Sequence, residues 1–300
     1  MTSENQPSDT VVILGAGPAG CTLACLLAKR GIRTVVFDDD KRPGLLVGES
    51  LIPAVVPVLR QLGIEDRVRE FSVQKPGASF FHASGTRVHL KFTKRGAKEP
   101  GYAYNVPRPQ FDNLLRKRAT ELGVTFINQR AKIQKSLHSE RDVELTTESL
   151  VAASIDDHPA WLIDATGRSR LIARTLKLEA ESGTRKDAAY FAHFENFTHD
   201  EVDPGQIIIS ILKHGWAWRI PLQDKLSVGI VLNMNAAKKL GEAPEERLEN
   251  AIMQDPLMKD KATGATRVTE VMTYTNYQLI SNQGHGKGWI LLGDAFGFVD

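Results

Sequence analysis

The sequence has little cysteine and almost no net charge. Cys21 and Cys25, on one predicted helix, are its two cysteines, which is too few for a disulfide framework and fits a reducing compartment. Lys and Arg number 38 against 36 Asp and Glu, and the resulting net charge of +2 is too small to favour nucleic acid or an anionic membrane as a partner. We therefore predict a cytoplasmic protein whose partner is a small molecule.

Membrane and metal signals are also missing from the sequence. No segment approaches the ~18 consecutive apolar residues that a transmembrane helix needs, and the polar first ten residues lack the apolar core of a signal peptide. The 8 histidines show no HExxH or HxxxH spacing. Export, membrane insertion and a metal site are therefore not expected.

The pattern of apolar runs predicts a mixed α/β fold. Val11–Leu14 and Thr34–Phe37 are short apolar runs typical of buried parallel strands, and a helix opened by Pro18 lies between them. Residues 78–92 alternate as a hairpin, and residues 131–164 are rich in strand patterns. From about 180 to 280 the chain favours a sheet with one helix, which begins at Pro244; its predicted strands are Ala188–Asn196, Gln206–Leu212, Trp216–Pro221, Leu226–Asn233 and Val271–Ile280.

A glycine motif joins the first predicted strand to the first helix. It is Gly15-Ala16-Gly17-Pro18-Ala19-Gly20, in the position that a dinucleotide-binding fingerprint requires. Such glycines permit a tight turn, close approach of the backbone to a pyrophosphate, and close helix packing, while the helix N-terminus favours the anion. Asp38 follows the second strand, where an acid binds ribose hydroxyls. These residues predict a dinucleotide site.

Two further turns identify the dinucleotide. With Asp164-Ala165-Thr166-Gly167 and Gly293-Asp294, the chain resembles FAD-dependent enzymes of the p-hydroxybenzoate hydroxylase type over essentially all 300 residues. The resemblance implies that Asp294 contacts the ribityl chain of FAD and that Arg108 helps to hold FAD. It implies a Rossmann-like, GR2-type FAD-binding domain with an inserted antiparallel-sheet substrate domain. We expect an FAD domain over 1–180 with a hairpin insertion near 75–105, a substrate module over 181–284, and a return to the FAD domain over 285–300.

Three finer motifs resemble those of flavin-dependent halogenases. Gly215-Trp216-Ala217-Trp218-Arg219-Ile220-Pro221 matches their WxWxIP signature, Gly48-Glu49-Ser50 resembles their loop between flavin and substrate, and Lys75 stands where they carry a catalytic lysine. The resemblance implies FADH2- and O2-dependent halogenation of an electron-rich aromatic, through a flavin hydroperoxide and hypohalous acid made from chloride or bromide. Trp216 and Trp218 project to one strand face and could wall the flavin from the substrate.

Lys75 could act in two ways. A lysine can hydrogen-bond hypohalous acid, or its neutral amine can form a haloamine. At an ordinary pKa near 10.4 only ~1 amine in 2,500 is neutral at pH 7, so the haloamine route requires burial to lower that pKa. Both routes stay open at this stage.

Other features bear on partners and rival functions. Thr166 precedes Gly167 where NAD(P)H-reduced hydroxylases usually carry an Asp-Gly pair, which favours a separate flavin reductase. The basic stretch Lys91, Lys94, Arg95 and Lys98 would suit an acidic partner such as a carrier protein bearing the substrate. The chain ends at Asp300, where the family continues with a helix and a C-terminal domain, so we expect either a fragment or an incomplete site. The alternatives are an aromatic hydroxylase on the same fold and a non-catalytic, truncated flavoprotein.

Overall fold

The computed structural model describes residues 8–41, 44–94, 100–138, 140–199, 202–275 and 278–298. The helices are α1 (Pro18–Ala28), α2 (Val56–Leu62), α3 (Glu65–Phe71), α4 (Arg108–Glu121), α5 (Thr147–Ala153), α6 (Leu171–Leu176), α7 (Met234–Ala237) and α8 (Pro244–Gln254). Single 3₁₀ turns lie at Pro53–Val55, Gly167–Ser169, Lys238–Leu240, Asp260–Ala262 and Gly293–Ala295.

The strands follow in chain order. The first eleven are β1 (Ser8–Leu14), β2 (Thr34–Phe37), β3 (Val73–Lys75), β4 (Gly77–His82), β5 (Arg87–Lys91), β6 (Ala103–Asn105), β7 (Thr125–Ile127), β8 (Ile133–Lys135), β9 (Val143–Leu145), β10 (Pro159–Asp164) and β11 (Ala180–Ser182). The others are β12 (Asp187–Glu195), β13 (Ile207–Leu212), β14 (Gly215–Pro221), β15 (Leu226–Asn233), β16 (Thr266–Arg267), β17 (Met272–Thr275), β18 (Leu279–Ser281), β19 (His285–Gly286), β20 (Trp289–Leu291) and β21 (Gly297–Phe298).

The chain forms two compact units. The first consists of Met1–Pro43, Asp112–Gly183 and Tyr277–Asp300, and the second of Gly44–Phe111 and Thr184–Asn276. The boundaries differ from those expected from the sequence, because residues 44–111 group with the substrate module. The reason is pairing over a long sequence distance: β4 lies parallel to β13 in one sheet.

The first unit is built on a six-stranded sheet in the order β19-β20-β10-β1-β2-β7. Strands β20, β10, β1, β2 and β7 are parallel neighbours. The fully buried residues of β2 explain its continuous apolar pattern, since a parallel sheet covered on both faces has no solvent side. The carboxyl ends of β1, β2, β10 and β20 meet at one edge, where ligands bind in such sheets. The expected Rossmann-like architecture is confirmed.

The second unit is built on one large sheet in the order β16-β12-β15-β14-β13-β4-β5, with β17 also paired to β12. One face forms a core with α8 that includes Tyr190, Phe194, Ile230 and Leu248. Side chains alternate along a strand, so Phe191, His193, Trp216 and Trp218 belong to the opposite face. The expected antiparallel substrate sheet is confirmed, with the one parallel pairing noted above.

One local prediction was incomplete and another was wrong. Residues 131–164 contain the expected strands β8, β9 and β10, but also α5, which begins at Thr147 and has Glu148 in its first turn. The single strand predicted over Val271–Ile280 is two strands, and β17 and β18 belong to different units. An apolar run in the sequence does not show where the chain leaves one sheet for another.

Candidate active site

The glycine motif of the first unit forms a turn that side chains would block. Gly15 has a φ of +100°, and a Cβ there would lie 2.5 Å from the carbonyl oxygen of Ala165. A Cβ on Gly20 would lie 2.1 Å from the oxygen of Gly15. Gly17 precedes α1 without a side-chain cap, and a Cβ there meets nothing within 4 Å. Two glycines therefore close the turn, and the third leaves the start of α1 open to a ligand.

Asp38 lies at the end of β2, next to this turn. Its Oδ1 accepts a hydrogen bond from the Ala16 backbone at 3.4 Å, and its Oδ2 pairs with Arg116 at 2.9 Å. The ion pair fixes the carboxylate beside the turn. The structure thus brings Asp38 and the glycine motif together, as the ribose role requires.

Asp164 shapes the second turn from within. The residue is fully buried, and its Oδ1 accepts from the Thr166 backbone and hydroxyl at 3.0 and 2.6 Å, while its Oδ2 accepts from the Ile172 backbone at 2.7 Å. These bonds occupy the carboxylate. Asp164 therefore acts on this edge of the sheet through the turn that carries Gly167.

The third turn packs against the other two. The 3₁₀ turn at Gly293–Ala295 lies beside the one at Gly167–Ser169, and a Cβ on Gly293 would lie 3.1 Å from Cβ of Ala19. Asp294 is exposed at this edge. The first unit thus brings together the glycine motif of residues 15–20, the Asp38 carboxylate and the Gly293-Asp294 turn. This set fits the pyrophosphate and hydroxyl groups of FAD.

In the second unit, Arg108 packs against the loop that contains Gly48. The Arg108 guanidinium donates to the carbonyl oxygen of Val47. Gly48 has a φ of +87°, and a Cβ there would lie 2.9 Å from Arg108 Nη1. Arg108 and the Gly48-Glu49-Ser50 motif are therefore parts of one local structure.

Lys75 is buried and hydrogen-bonded to the same loop. It is 4% exposed, and its Nζ donates to Ser50 Oγ at 2.8 Å and to the Leu51 carbonyl oxygen at 3.0 Å. The Phe92 ring lies 5.3 Å from the nitrogen. Burial removes water from the ammonium and lowers the pKa of Lys75 from 10.5 to about 8. Roughly one amine in ten is then neutral at pH 7.

Trp216 and Trp218 lie side by side on the second unit's sheet. Their ring centroids are 5.6 Å apart, and Trp218 also packs against Phe191 at 5.8 Å. Gly229 makes room for the Trp218 ring, since a Cβ on Gly229 would lie 2.1 Å from that ring. The indole nitrogen donates to Ser227 Oγ at 3.3 Å. The expectation that the two indoles share a face agrees with this packing.

Glu49 bonds to a residue that the sequence analysis missed. Its Oε1 lies 2.7 Å from Nε2 of His193, and the two residues are 3% and 5% exposed. His193 stands directly opposite Ser227, the partner of the Trp218 indole. No local signal singles out His193, because its partner is 144 residues away.

Two other predictions concern residues outside this site: the basic stretch and the absence of a metal. In the basic stretch, Lys91 pairs with Asp203 at 2.9 Å, whereas Arg95 and Lys98 lie outside the described residues. His138, Glu144 and His158 each place a potential ligand atom within 4.8 Å of the others. Their spacing in the sequence gave no such signal, and the absence of a metal stays a prediction.

The chain belongs to the FAD-binding domain family, whose sequence profile matches residues 8–298. Within the described residues, no helix is long and apolar enough to cross a membrane. The expected FAD-dependent family is thereby confirmed.

Halogenases are among the proteins that this chain resembles. Tryptophan 2-halogenase of Chondromyces crocatus is 29% identical over 98% of this chain and 57% of its own length. The 1H-pyrrole-2-carbonyl-[peptidyl-carrier protein] chlorinase of Pseudomonas fluorescens is 27% identical over 97% of this chain and 70% of its own. The structure of the myxobacterial chondrochloren halogenase CndH aligns with a TM-score of 0.84 at 28% identity, over 97% of this chain and 69% of that one. The chain thus spans little more than half of the first relative.

Proposed function

We propose that this protein catalyses the FADH2- and O2-dependent halogenation of an electron-rich aromatic substrate, with Lys75 delivering the halogen. The buried Lys75 amine is the observation that carries the proposal. A lysine with no catalytic or structural role is normally exposed, whereas this one is buried beside a loop motif that resembles one of the halogenases. Chloride or bromide is the co-substrate.

FAD is the cofactor of this proposal. Gly15, Gly17 and Gly20 would hold the pyrophosphate, Asp38 the ribose and Asp294 the ribityl chain. When bound, FADH2 with O2 supplies the oxidising equivalent that turns halide into hypohalous acid. Overall, one arene C–H, one halide, one O2, one proton and FADH2 yield the haloarene, FAD and two waters.

Lys75 can accept the halogen because of how its nitrogen is bonded. Two N–H bonds point to Ser50 Oγ and the Leu51 carbonyl. In the amine, the remaining position is a lone pair. It attacks the halogen of hypohalous acid, forming N–X as the O–X bond breaks, and the departing hydroxide takes one N–H proton and leaves as water. The haloamine then passes its halogen to the arene carbon, whose proton returns to the nitrogen. In the ammonium form, the same position is an N–H that hydrogen-bonds hypohalous acid.

Trp216 and Trp218 would separate the aromatic substrate from the flavin. Each indole offers ~200 Å² of rigid surface, and the contacts with Gly229, Ser227 and Phe191 leave Trp218 little freedom to turn. A wall of this kind favours capture of the oxidant by halide over direct hydroxylation. A separate flavin reductase completes the proposed system, and the carrier-protein substrate of the pyrrole chlorinase makes a carrier-bound arene one form to test.

The experiment supplies the purified protein with FAD, a flavin reductase, NADH, O2 and either halide. The substrates are a phenol, an indole, a free pyrrole and a pyrrole thioester on a carrier protein, with products read by mass spectrometry. We expect a haloarene product. Its rate of formation should fall by at least ~100-fold in Lys75→Ala and should be unchanged in the control Lys135→Met, which removes an exposed lysine. An oxygenated product that does not depend on halide would instead identify a hydroxylase.

Lys75→Arg separates the two roles of the lysine. Arginine is permanently charged and cannot form a haloamine, but its N–H groups can still bind hypohalous acid. Retained halogenation in this variant would select the hydrogen-bonding route. Loss equal to that of Lys75→Ala is the result expected of the haloamine route.

A further inference from the structure

A buried carboxylate and a buried imidazole meet beside the lysine. The Glu49 carboxylate and His193 Nε2 are 2.7 Å apart, and both side chains are more than nine-tenths buried. A buried carboxylate is costly unless it is hydrogen-bonded. His193 is itself fixed on β12, where its backbone N–H donates to Thr269 Oγ1 at 2.9 Å. The pair thus ties the loop at Glu49 to a rigid strand of the large sheet.

The segment Glu49–Leu51 is also held along its backbone. The Val106 N–H donates to the Glu49 carbonyl at 2.7 Å, and the Leu51 N–H donates to the Tyr104 carbonyl at 2.9 Å. Ser50 pairs with Asn105 in an isolated antiparallel bridge. These bonds set the path of the segment, while the Glu49 side chain fixes it from the direction of β12.

Both hydrogen-bond acceptors of Lys75 belong to this three-residue segment. They are the Ser50 hydroxyl at 2.8 Å and the Leu51 carbonyl at 3.0 Å. Lys75 is itself the last residue of β3, and the pairing of β3 with β6 fixes the lysine backbone without involving His193. A small shift of the segment would move both acceptors relative to a stationary lysine backbone.

We propose that His193 is a positioning residue for Lys75: by holding the Glu49 carboxylate, it fixes Ser50 and Leu51 and thereby the lysine nitrogen. The catalytic consequence of this inference rests on the proposed function; the structural consequence does not. An error of about 1 Å in the position of a reacting group can cost on the order of 100-fold in rate. The pair therefore acts on turnover more than on substrate binding.

The test compares four variants of the full chain. His193→Phe keeps a ring but removes the donor, and His193→Gln restores an N–H that can reach Glu49. The double variant His193→Phe with Glu49→Gln replaces both members of the hydrogen-bonded pair. His89→Phe is the matched control. His89 is also a hydrogen-bonded histidine of the same sheet, but it lies on the edge strand β5 and its partner is Ser79 Oγ, at 2.8 Å, rather than Glu49.

Two measurements are made on each variant. The first is kcat and KM for halogenation. The second needs no activity: competitive acylation of lysines across a pH series, read by mass spectrometry at Lys75, gives the titration midpoint of its amine. We expect His193→Phe to lower kcat by about 10- to 100-fold with KM within about threefold. Its acylation midpoint should rise from about 8 toward 10.5, because the loosened loop admits water.

His193→Gln and the control should retain the wild-type midpoint, and the double variant should be no worse than His193→Phe, since the two residues act as one unit. A wild-type midpoint and kcat in His193→Phe would overturn the proposal. So would an equal loss in His193→Gln, which would indicate a packing role.

If His193→Phe does not fold, His193→Asn, which is too short to reach Glu49, replaces it with the same expected results. If the wild type does not halogenate, the proposed function fails, and the midpoints alone decide the positioning role.

Discussion

Replacing Lys75 by methionine should change how the stability of the protein depends on pH. The lysine is buried, and its pKa is lowered from 10.5 to about 8 in the folded chain. Below pH 8 both the folded and unfolded chains carry the charge, and the folded one bears the cost of burying it. Between pH 8 and 10.5 the unfolded chain binds more protons than the folded chain, so the free energy of unfolding rises with pH in this window.

The magnitude follows from the size of the pKa shift. Burial of the ammonium costs about 3 kcal/mol below pH 8, since each pKa unit is worth about 1.4 kcal/mol. Between pH 7 and pH 9.5, the wild type should gain about 2 kcal/mol of stability relative to Lys75→Met. At pH 7 the methionine variant also loses two hydrogen bonds, worth about 1 kcal/mol each, so its stability should be close to that of the wild type.

The assay is urea unfolding of both proteins at pH 7.0, 8.0, 9.0 and 9.5, followed by circular dichroism. Other groups titrate alike in the two proteins and cancel in the difference. Lys135→Met, which removes an exposed lysine, should differ from the wild type by a constant amount. A difference between wild type and Lys75→Met that stays flat or falls with pH would refute the burial of the charged amine.

Further predictions concern glycines whose missing side chains make room for the site. Gly229→Ala would place a methyl group against the Trp218 ring, and urea unfolding should show a loss of about 1–3 kcal/mol together with altered tryptophan fluorescence. Gly20→Ala would place a methyl group against the Gly15 carbonyl, so FAD affinity, measured by flavin fluorescence, should fall by at least ~10-fold. Gly44→Ala is the control for both, since a Cβ there meets nothing within 4 Å; it should change stability by less than about 0.5 kcal/mol. Equal effects at Gly44 and either other glycine would contradict the packing described.

The parts of the fold that the sequence predicted are those with a local cause. Strands β1 and β2 are apolar because both faces are covered, and the glycine motif follows β1 directly because the turn excludes side chains. The alternation of Trp216 and Trp218 predicted a shared face, and their rings do touch. Resemblance to a family, rather than any pattern, singled out Lys75; an isolated lysine carries no sign of its own burial.

The parts that escaped prediction depend on contacts between distant segments. The strand at Gly77–His82 joins Ile207–Leu212, so a hairpin assigned to the first domain belongs to the second unit. His193 and Glu49 approach each other only when β12 and the loop after residue 44 are both in place. Neither pairing has a periodicity or a turn signal, because the energy that favours it comes from burial of residues far apart in the chain.

The protonation of Lys75 depends on where the Glu49 carboxylate is directed. A carboxylate close to the amine would favour the ammonium and raise its pKa, and Glu49 is adjacent in the chain to Ser50, which accepts a hydrogen bond from the lysine. His193 holds that carboxylate instead. The lysine is left with two neutral acceptors, and desolvation alone shifts its pKa, downward. The same hydrogen bond that would position the loop therefore also keeps the Glu49 carboxylate bonded to the imidazole, and this would preserve the neutral amine fraction that a haloamine requires.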